Sequence, residues 1–379
     1  RVKMMRKKTK AEKNIVRDMW KRQLWKLPWL LLLPIGLLFP VLAEKYPQLI
    51  NEKFSLGLYP KISDALGQAT ASLPGSVAEL ALYILAALLV GLVILFFVHL
   101  LQRRARWVRV TSFILNLGIC AGVMLCLFYW IWGFNYARPT LYEMMALDVK
   151  ERPVEQLETL CLSLTEEAVA LRRQVPEDET GVFALEQAPR HYLEDVVTAY
   201  AALGKDIPLF SRRVYPAKQV YASEALSYAG ISGIFVPFTG EANVNMHQPP
   251  LLLLSAAAHE NAHYLGIARE DEANFVSYLA CLRSSDPSVR YSGVMLALIH
   301  STNQLQDADA ARYAAVRNRY SDAMVRDLVA YNQYWDDHEG KIEETMDQIN
   351  DAYLKYNRQE AGVKSYGMMV DLLLAYADQ

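Results

Sequence analysis

The chain has 379 residues, 53% of them hydrophobic, and a net charge of −2, enough length for one sizeable domain together with membrane segments. The near-neutral balance, the lack of a glycine-rich phosphate loop and a basic surplus confined to the N-terminus argue against nucleic acid as a partner.

Residues 1–26 form a basic tail, with eleven Lys and Arg against only Glu12 and Asp18. Three apolar stretches follow at 27–43, 80–101 and 108–134, each a candidate to cross the roughly 30 Å core of a bilayer. The first carries Pro34 and Pro40, so it either crosses tilted or kinked or acts as a leader cleaved after Val41-Leu42-Ala43. Positive charge in the tail and in the Arg103, Arg104, Arg106, Arg109 loop, against a mixed loop at 44–76, places both basic segments in the cytoplasm. An odd number of spans then puts everything beyond Tyr136 outside. The expected organisation is a cytoplasmic tail (1–26), a membrane domain in the lipid bilayer (27–136) and an extracytoplasmic domain (137–379). Cys120 and Cys126 fall in the third span, whereas Cys161 and Cys281 lie in the outer domain, either paired or as buried thiols.

The outer domain begins with helix patterns at 153–174 and 188–204, separated by a polar loop. Short strand signals follow at 213–220, 233–236 and 242–246, punctuated by Gly230, Gly233, Pro237 and Gly240. The 240–245 segment, with Glu241, Ala242 and Asn243, is a candidate edge strand for pairing with a peptide or protein substrate; the competing reading is an ordinary hairpin arm.

Next comes Ala258-His259-Glu260-Asn261-Ala262-His263-Tyr264-Leu265-Gly266, on an apolar helix opened by Pro249-Pro250. Histidines at i and i+4 share one helical face, so His259 and His263 can converge on a tetrahedral ion, with Glu260 beside them. Burying two imidazoles and a carboxylate without a partner would cost several kcal/mol. Gly266 suits a left-handed cap, after which a second helix from 270 to 282 returns an acidic run. Glu270 is the expected third ligand; Glu272 points about 200° away around that helix and Asp271 is weaker still. Asn274, one turn beyond Glu270, can hydrogen-bond a ligand. One Zn2+ per chain is expected, with Glu260 as general base toward an activated water. Tyr228, His247 and His300 are candidates to stabilise an oxyanion. Helix patterns at 289–305, 342–356 and 363–375 complete the chain.

Glu-x-x-Ala-Asn after a His-Glu-x-x-His helix resembles the gluzincin metallopeptidases, whose first Glu is the zinc ligand. The chain is also similar, over nearly its whole length, to a family of bacterial membrane proteins catalogued as domain of unknown function 3810. That resemblance rests on the three apolar spans, Trp132-Gly133-Phe134-Asn135-Tyr136, Gly230-Ile231-Ser232-Gly233 with Pro237-Phe238-Thr239-Gly240-Glu241-Ala242, the metal motif, and Gly362-Val363-Lys364-Ser365-Tyr366-Gly367. The last of these adds Tyr366 as a transition-state candidate. The implied fold is α+β and mainly helical: three transmembrane helices, then a zincin-like domain with a small sheet. A membrane-anchored zinc peptidase is the expected function, with a non-catalytic zinc sensor or binding module as the alternative.

Overall fold

Three helices in the computed structural model are long and apolar enough to cross a membrane. They are α1 (Asn14–Ala43), α3 (Val77–Leu101) and α4 (Arg106–Ile131), with the shorter α2 (Tyr59–Ala71) between the first two. At about 1.5 Å per residue, even the 25-residue α3 exceeds a 30 Å hydrocarbon layer. The structure describes residues 14–102, 105–357 and 368–379. Contacts divide the chain into two units: residues up to Tyr46 with Glu79–Phe134, and Pro47–Ala78 with Asn135–Gln379.

In the first unit α1 lies against α4 through small residues. A Cβ on Gly122 would sit 2.6 Å from the Leu33 backbone nitrogen, and Gly118, four residues earlier on the same face, touches Leu30. Without a hydrophobic force between helices in lipid, such close backbone approach is a main source of attraction.

The second unit is a helical domain with one small sheet. Its main helices are α5 (Val154–Arg172), α6 (Pro189–Asp206), α7 (Pro250–Tyr264), α8 (Glu270–Cys281), α9 (Pro287–Ala308), α10 (Asp322–Asp336), α11 (Lys341–Tyr356) and α12 (Met369–Ala377). Leu251, Leu253, Leu254, Ala257, Ala258 and Ala262 bury α7 around most of its circumference, so it runs through the core with α6, α8, α9 and the sheet packed around it. A buried Arg172–Asp327 ion pair ties α5 to α10, and Asp327 also accepts from the Tyr291 hydroxyl and the Phe183 N–H. Cys161 and Cys281 are free thiols in different apolar clusters, and burial pushes each up to about 12.

Residues 47–78, within the expected membrane domain of 27–136, group by their contacts with the second unit. Tyr59, Ser63, Gly67 and Thr70 form one buried face of α2 at helical spacing. The Tyr59 hydroxyl donates to the Tyr264 carbonyl at 2.7 Å, and the Tyr264 hydroxyl donates to the Ser63 carbonyl at 3.0 Å.

The sheet is β1 (Lys218–Gln219), β2 (Gly233–Val236) and β3 (Glu241–Val244) in the order β1-β3-β2. β3 pairs parallel with β1 and antiparallel with β2, Phe235 opposite Ala242. The structure thus differs from the edge-strand reading of Glu241, Ala242 and Asn243: β3 is the central strand, with β2 along all four of its residues and β1 beside Asn243 and Val244 on the other side. The side chains serve another purpose. Glu241 accepts from the backbone N–H groups of Val77 and Ala78, at 3.2 and 2.8 Å, and Asn243 accepts from the Ser76 hydroxyl at 2.6 Å, so within the second unit β3 holds residues 76–78.

Most expected helices appear within a few residues of their predicted limits, but the 213–220 strand shrinks to Lys218–Gln219. Of the 363–375 helix, the part from Met369 is observed as α12; Tyr366 and its motif lie outside the described residues.

Candidate metal centre

Two helices supply the site, and the turn between them sets its geometry. Pro250 occupies the first turn of α7, where its missing N–H leaves nothing unsatisfied. At the other end the Gly266 N–H bonds the His263 carbonyl (2.9 Å) and the Ile267 N–H bonds the Ala262 carbonyl (3.1 Å), with Gly266 at φ +85°. This is a Schellman cap, and its left-handed residue favours glycine. The reversal returns the Ile267 carbonyl to α7, where it accepts from His263 Nδ1 at 2.7 Å. Arg269 then extends the chain and α8 begins at Glu270, with Glu270, Asp271 and Glu272 in the first turn, where a helix N-terminus favours negative charge.

Three side chains converge: the ligand atoms of His259, His263 and Glu270 all lie within 4.8 Å of one another. His259 Nε2 is 3.1 Å from Glu270 Oε2, and His263 Nε2 is 3.6 Å from Glu270 Oε1. The imidazoles stand edge to face with centroids 4.6 Å apart. Asn274 Oδ1 accepts from His259 Nδ1 at 2.7 Å, as the Ile267 carbonyl does from His263. Both Nδ1 atoms therefore carry hydrogen toward a carbonyl oxygen, and in the neutral ring each Nε2 keeps its lone pair for the site. Two such nitrogens and one carboxylate are a three-ligand set for a divalent transition metal, so the residues fit the zinc ion expected from the motif.

Electrostatics within the cluster are those of a closely coupled pair. Burial opposes charge on His263, but Glu270 and Glu260 outweigh it and lift the imidazole to about 9. Burial works against the Glu270 carboxylate too, yet His263 and His259 hold it well below the usual range. In the absence of a cation the two form an ion pair; a metal bound here would take the place of that proton.

Glu260 stands beside the cluster and faces the sheet. It is buried, with its carboxylate against Gly233 and accepting from the Phe235 N–H. Burial raises its pKa, opposed by the two histidines. In the β2–β3 register, Ser232 accepts from Asn245 and Ile234 lies opposite Asn243, so Gly233 and Phe235 direct their backbone groups away from β3. The free edge of the sheet near the cluster is thus β2.

Glu272 is turned elsewhere, accepting from the Leu141 N–H at 2.7 Å and from Arg269 at 3.1 Å. Asp271 is pushed up to about 7 by burial and then by Glu272. Arg138 donates to the Gly266 carbonyl at 3.0 Å and so braces the turn. Of the oxyanion candidates, Tyr228 and His247 gather with Tyr334 and His338: His247 Nδ1 is 2.8 Å from the Tyr334 hydroxyl, and the Tyr228 ring is 4.7 Å from that of His338. His300 lies on α9.

Sequence reasoning missed three tyrosines. The Tyr200 hydroxyl donates to the Ala258 carbonyl at 2.6 Å, and Tyr59 holds the Tyr264 carbonyl, so both grip the backbone of α7. Tyr353, on α11, accepts from the Tyr136 hydroxyl at 3.1 Å. Burial raises the Tyr353 hydroxyl, the Tyr136 bond opposes the rise, and Glu270 is near enough to add to it. Tyr136 stood inside a quoted motif, but no spacing tied it to a helix more than two hundred residues away.

A family described as protein of unknown function, DUF3810, matches residues 54–374. The chain belongs to that family. The match takes in α2, two of the three long apolar helices, the whole α7–α8 turn with its three converging side chains, and α11. No curated protein and no solved structure matches the chain.

Proposed function

We infer that this protein is a membrane-anchored zinc peptidase with its hydrolytic domain on the outer side of the membrane. The observation that carries the reading is the pairing of both Nδ1 atoms with carbonyl oxygens, which leaves two Nε2 atoms and the Glu270 carboxylate directed at one point. A zinc ion held there would supply Lewis acidity, lowering the pKa of a bound water and polarising a carbonyl oxygen. Glu260, outside the ligand set yet one residue from His259, is the group to take a proton from that water and return it to the leaving amine. An extended peptide added as a strand along β2 would displace Glu260 from the Phe235 N–H. Orientation follows from the basic tail and the basic loop between α3 and α4.

The test uses purified full-length protein in detergent. One zinc per chain is expected, together with hydrolysis of a fluorescent casein that Glu260→Gln abolishes without releasing the metal. Undiminished hydrolysis in that variant overturns the reading. The sensor alternative draws support from the near closure of the cluster, whose His259, His263 and Glu270 side chains are only 12%, 9% and 14% exposed. Stoichiometric zinc with no turnover of any peptide would favour it.

A further inference from the structure

A second pair of histidines lies at the opposite end of α7 from His259 and His263. His247 is in the link from β3 to α7, and His338 is two residues past the end of α10. About 14 Å of helix separates Pro250 from His259. The His247 and His338 rings have centroids 5.8 Å apart and planes inclined by 76°. Two imidazoles on one tetrahedral ion have centroids about 5 Å apart, given a metal–nitrogen bond of about 2.0–2.1 Å and a ring radius of about 1.1 Å. His247 is exposed, so its ring is free to close that small difference.

One residue orients both rings. His338 Nδ1 donates to the Tyr334 carbonyl at 2.7 Å, and His247 Nδ1 is 2.8 Å from the Tyr334 hydroxyl. That hydroxyl also meets Ser227 Oγ, which accepts from Asn245 Nδ2 at 3.0 Å and donates to the Ser223 carbonyl at 3.3 Å. Hydrogens thus run one way, from His247 through Tyr334 and Ser227 to a backbone carbonyl. In the neutral rings both Nε2 atoms keep a lone pair, and neither has a hydrogen-bond partner among the described residues. His259 and His263 are prepared in the same manner, with the Nδ1 hydrogen fixed by a neighbour and Nε2 left for an ion. The Tyr334 and Tyr228 rings, with centroids 4.4 and 4.7 Å from that of His338, hold its imidazole in place.

We propose that His247 and His338 bind a second divalent transition-metal ion, through one Nε2 each, at an open site on the surface. Imidazole donors select zinc, nickel or copper over magnesium and calcium, which take oxygen ligands. Among the described residues no Cys, Asp or Glu joins the pair as a third ligand, so water completes the coordination. The second ion is therefore held more weakly than one bound by His259, His263 and Glu270, and is taken up from solution when metal is in excess. Once bound, it ties the end of α10 to the link that opens α7. The proposal does not depend on the peptidase reading.

The test is equilibrium dialysis of untagged full-length protein in detergent against rising zinc, with bound metal counted per chain. The unaltered protein is expected to take up one more ion than His247→Gln or His338→Phe, the second of which keeps a ring between the tyrosines. The double variant should lose no more than either single one, because one ion bridges both imidazoles. Tyr334→Phe, which releases His247 Nδ1, should weaken the extra uptake about 10–100-fold. His191→Gln, at an exposed histidine of α6, should leave it unchanged. Copper should occupy the extra site at lower concentration than zinc. Equal uptake by the unaltered protein and both single variants overturns the site, and so does the loss of two ions in the double variant, which would give each imidazole its own. Should the His259–His263–Glu270 cluster hold no zinc, the peptidase reading fails while the difference between unaltered and variant protein still decides the second site.

Discussion

Asn274 is the side chain whose only visible service is to another. Its carbonyl oxygen takes the Nδ1 hydrogen of His259, fixing which nitrogen faces Glu270 and how the ring is turned. Groups of this kind change metal affinity by about 10–100-fold when removed. Asn274→Ala should therefore lower zinc affinity within that range in a competition titration against a chelating dye, with little change in far-ultraviolet circular dichroism. Unaltered affinity would show that the Ile267 carbonyl and the packing of α7 orient the histidines without it. The sequence made His259, His263, Glu270 and Asn274 legible because their relations are local: one helical turn within α7, one within α8, and a glycine at the reversal. The Tyr353–Tyr136 pair, the Tyr200–Ala258 bond and the Tyr59–Tyr264 bond were not legible, since a hydroxyl meeting a partner far along the chain leaves no periodic mark.

Among the elements, the turn from α7 to α8 carries the largest consequence per residue. Gly266 adopts a conformation that costs an L-residue about 1–2 kcal/mol, and a Cβ there would lie 3.0 Å from Tyr59 Cε1 and 3.2 Å from Asn135 Oδ1. Gly266→Ala is expected to lower stability by at least about 1–2 kcal/mol, read as a fall in the thermal midpoint. Zinc affinity should fall as well, because the same cap sets the Ile267 carbonyl against His263. A variant with a lower midpoint and undiminished zinc affinity would separate the cap's structural role from its role at the metal. The sheet shows where element-scale reading stops. Alternation identified β2 and β3 as strands, but neighbour order depends on which segments the rest of the chain delivers to each edge, and β1, two residues long, gave too little pattern to reveal that it pairs with Asn243 and Val244 of β3. The placement of α2 was hidden for a similar reason: its buried face is polar and small, Ser63, Gly67 and Thr70 beside Tyr59, and reads in sequence as an ordinary loop between spans.

At the scale of the whole molecule, charge bias predicts the sidedness. The tail and the loop from Arg103 to Arg109 carry the positive charge that resists translocation, so α1, α3 and α4 should leave the helical domain outside. Tyr221 provides a reporter, since it is 85% exposed. In Tyr221→Cys the native thiols should contribute little background: Cys161 and Cys281 are buried with thiols pushed up to about 12, which leaves almost no thiolate at neutral pH, and Cys120 and Cys126 lie within α4. A membrane-impermeant maleimide applied to spheroplasts should label Tyr221→Cys without permeabilisation and should reach Lys21→Cys, in the basic segment of α1, only after the membrane is opened. The reverse pattern would place the His259–His263–Glu270 cluster in the cytoplasm. That outcome would leave the geometry of His259, His263 and Glu270 untouched, but it would change the pool of peptides the site can meet and remove the oxidising setting in which two unpaired buried thiols are informative.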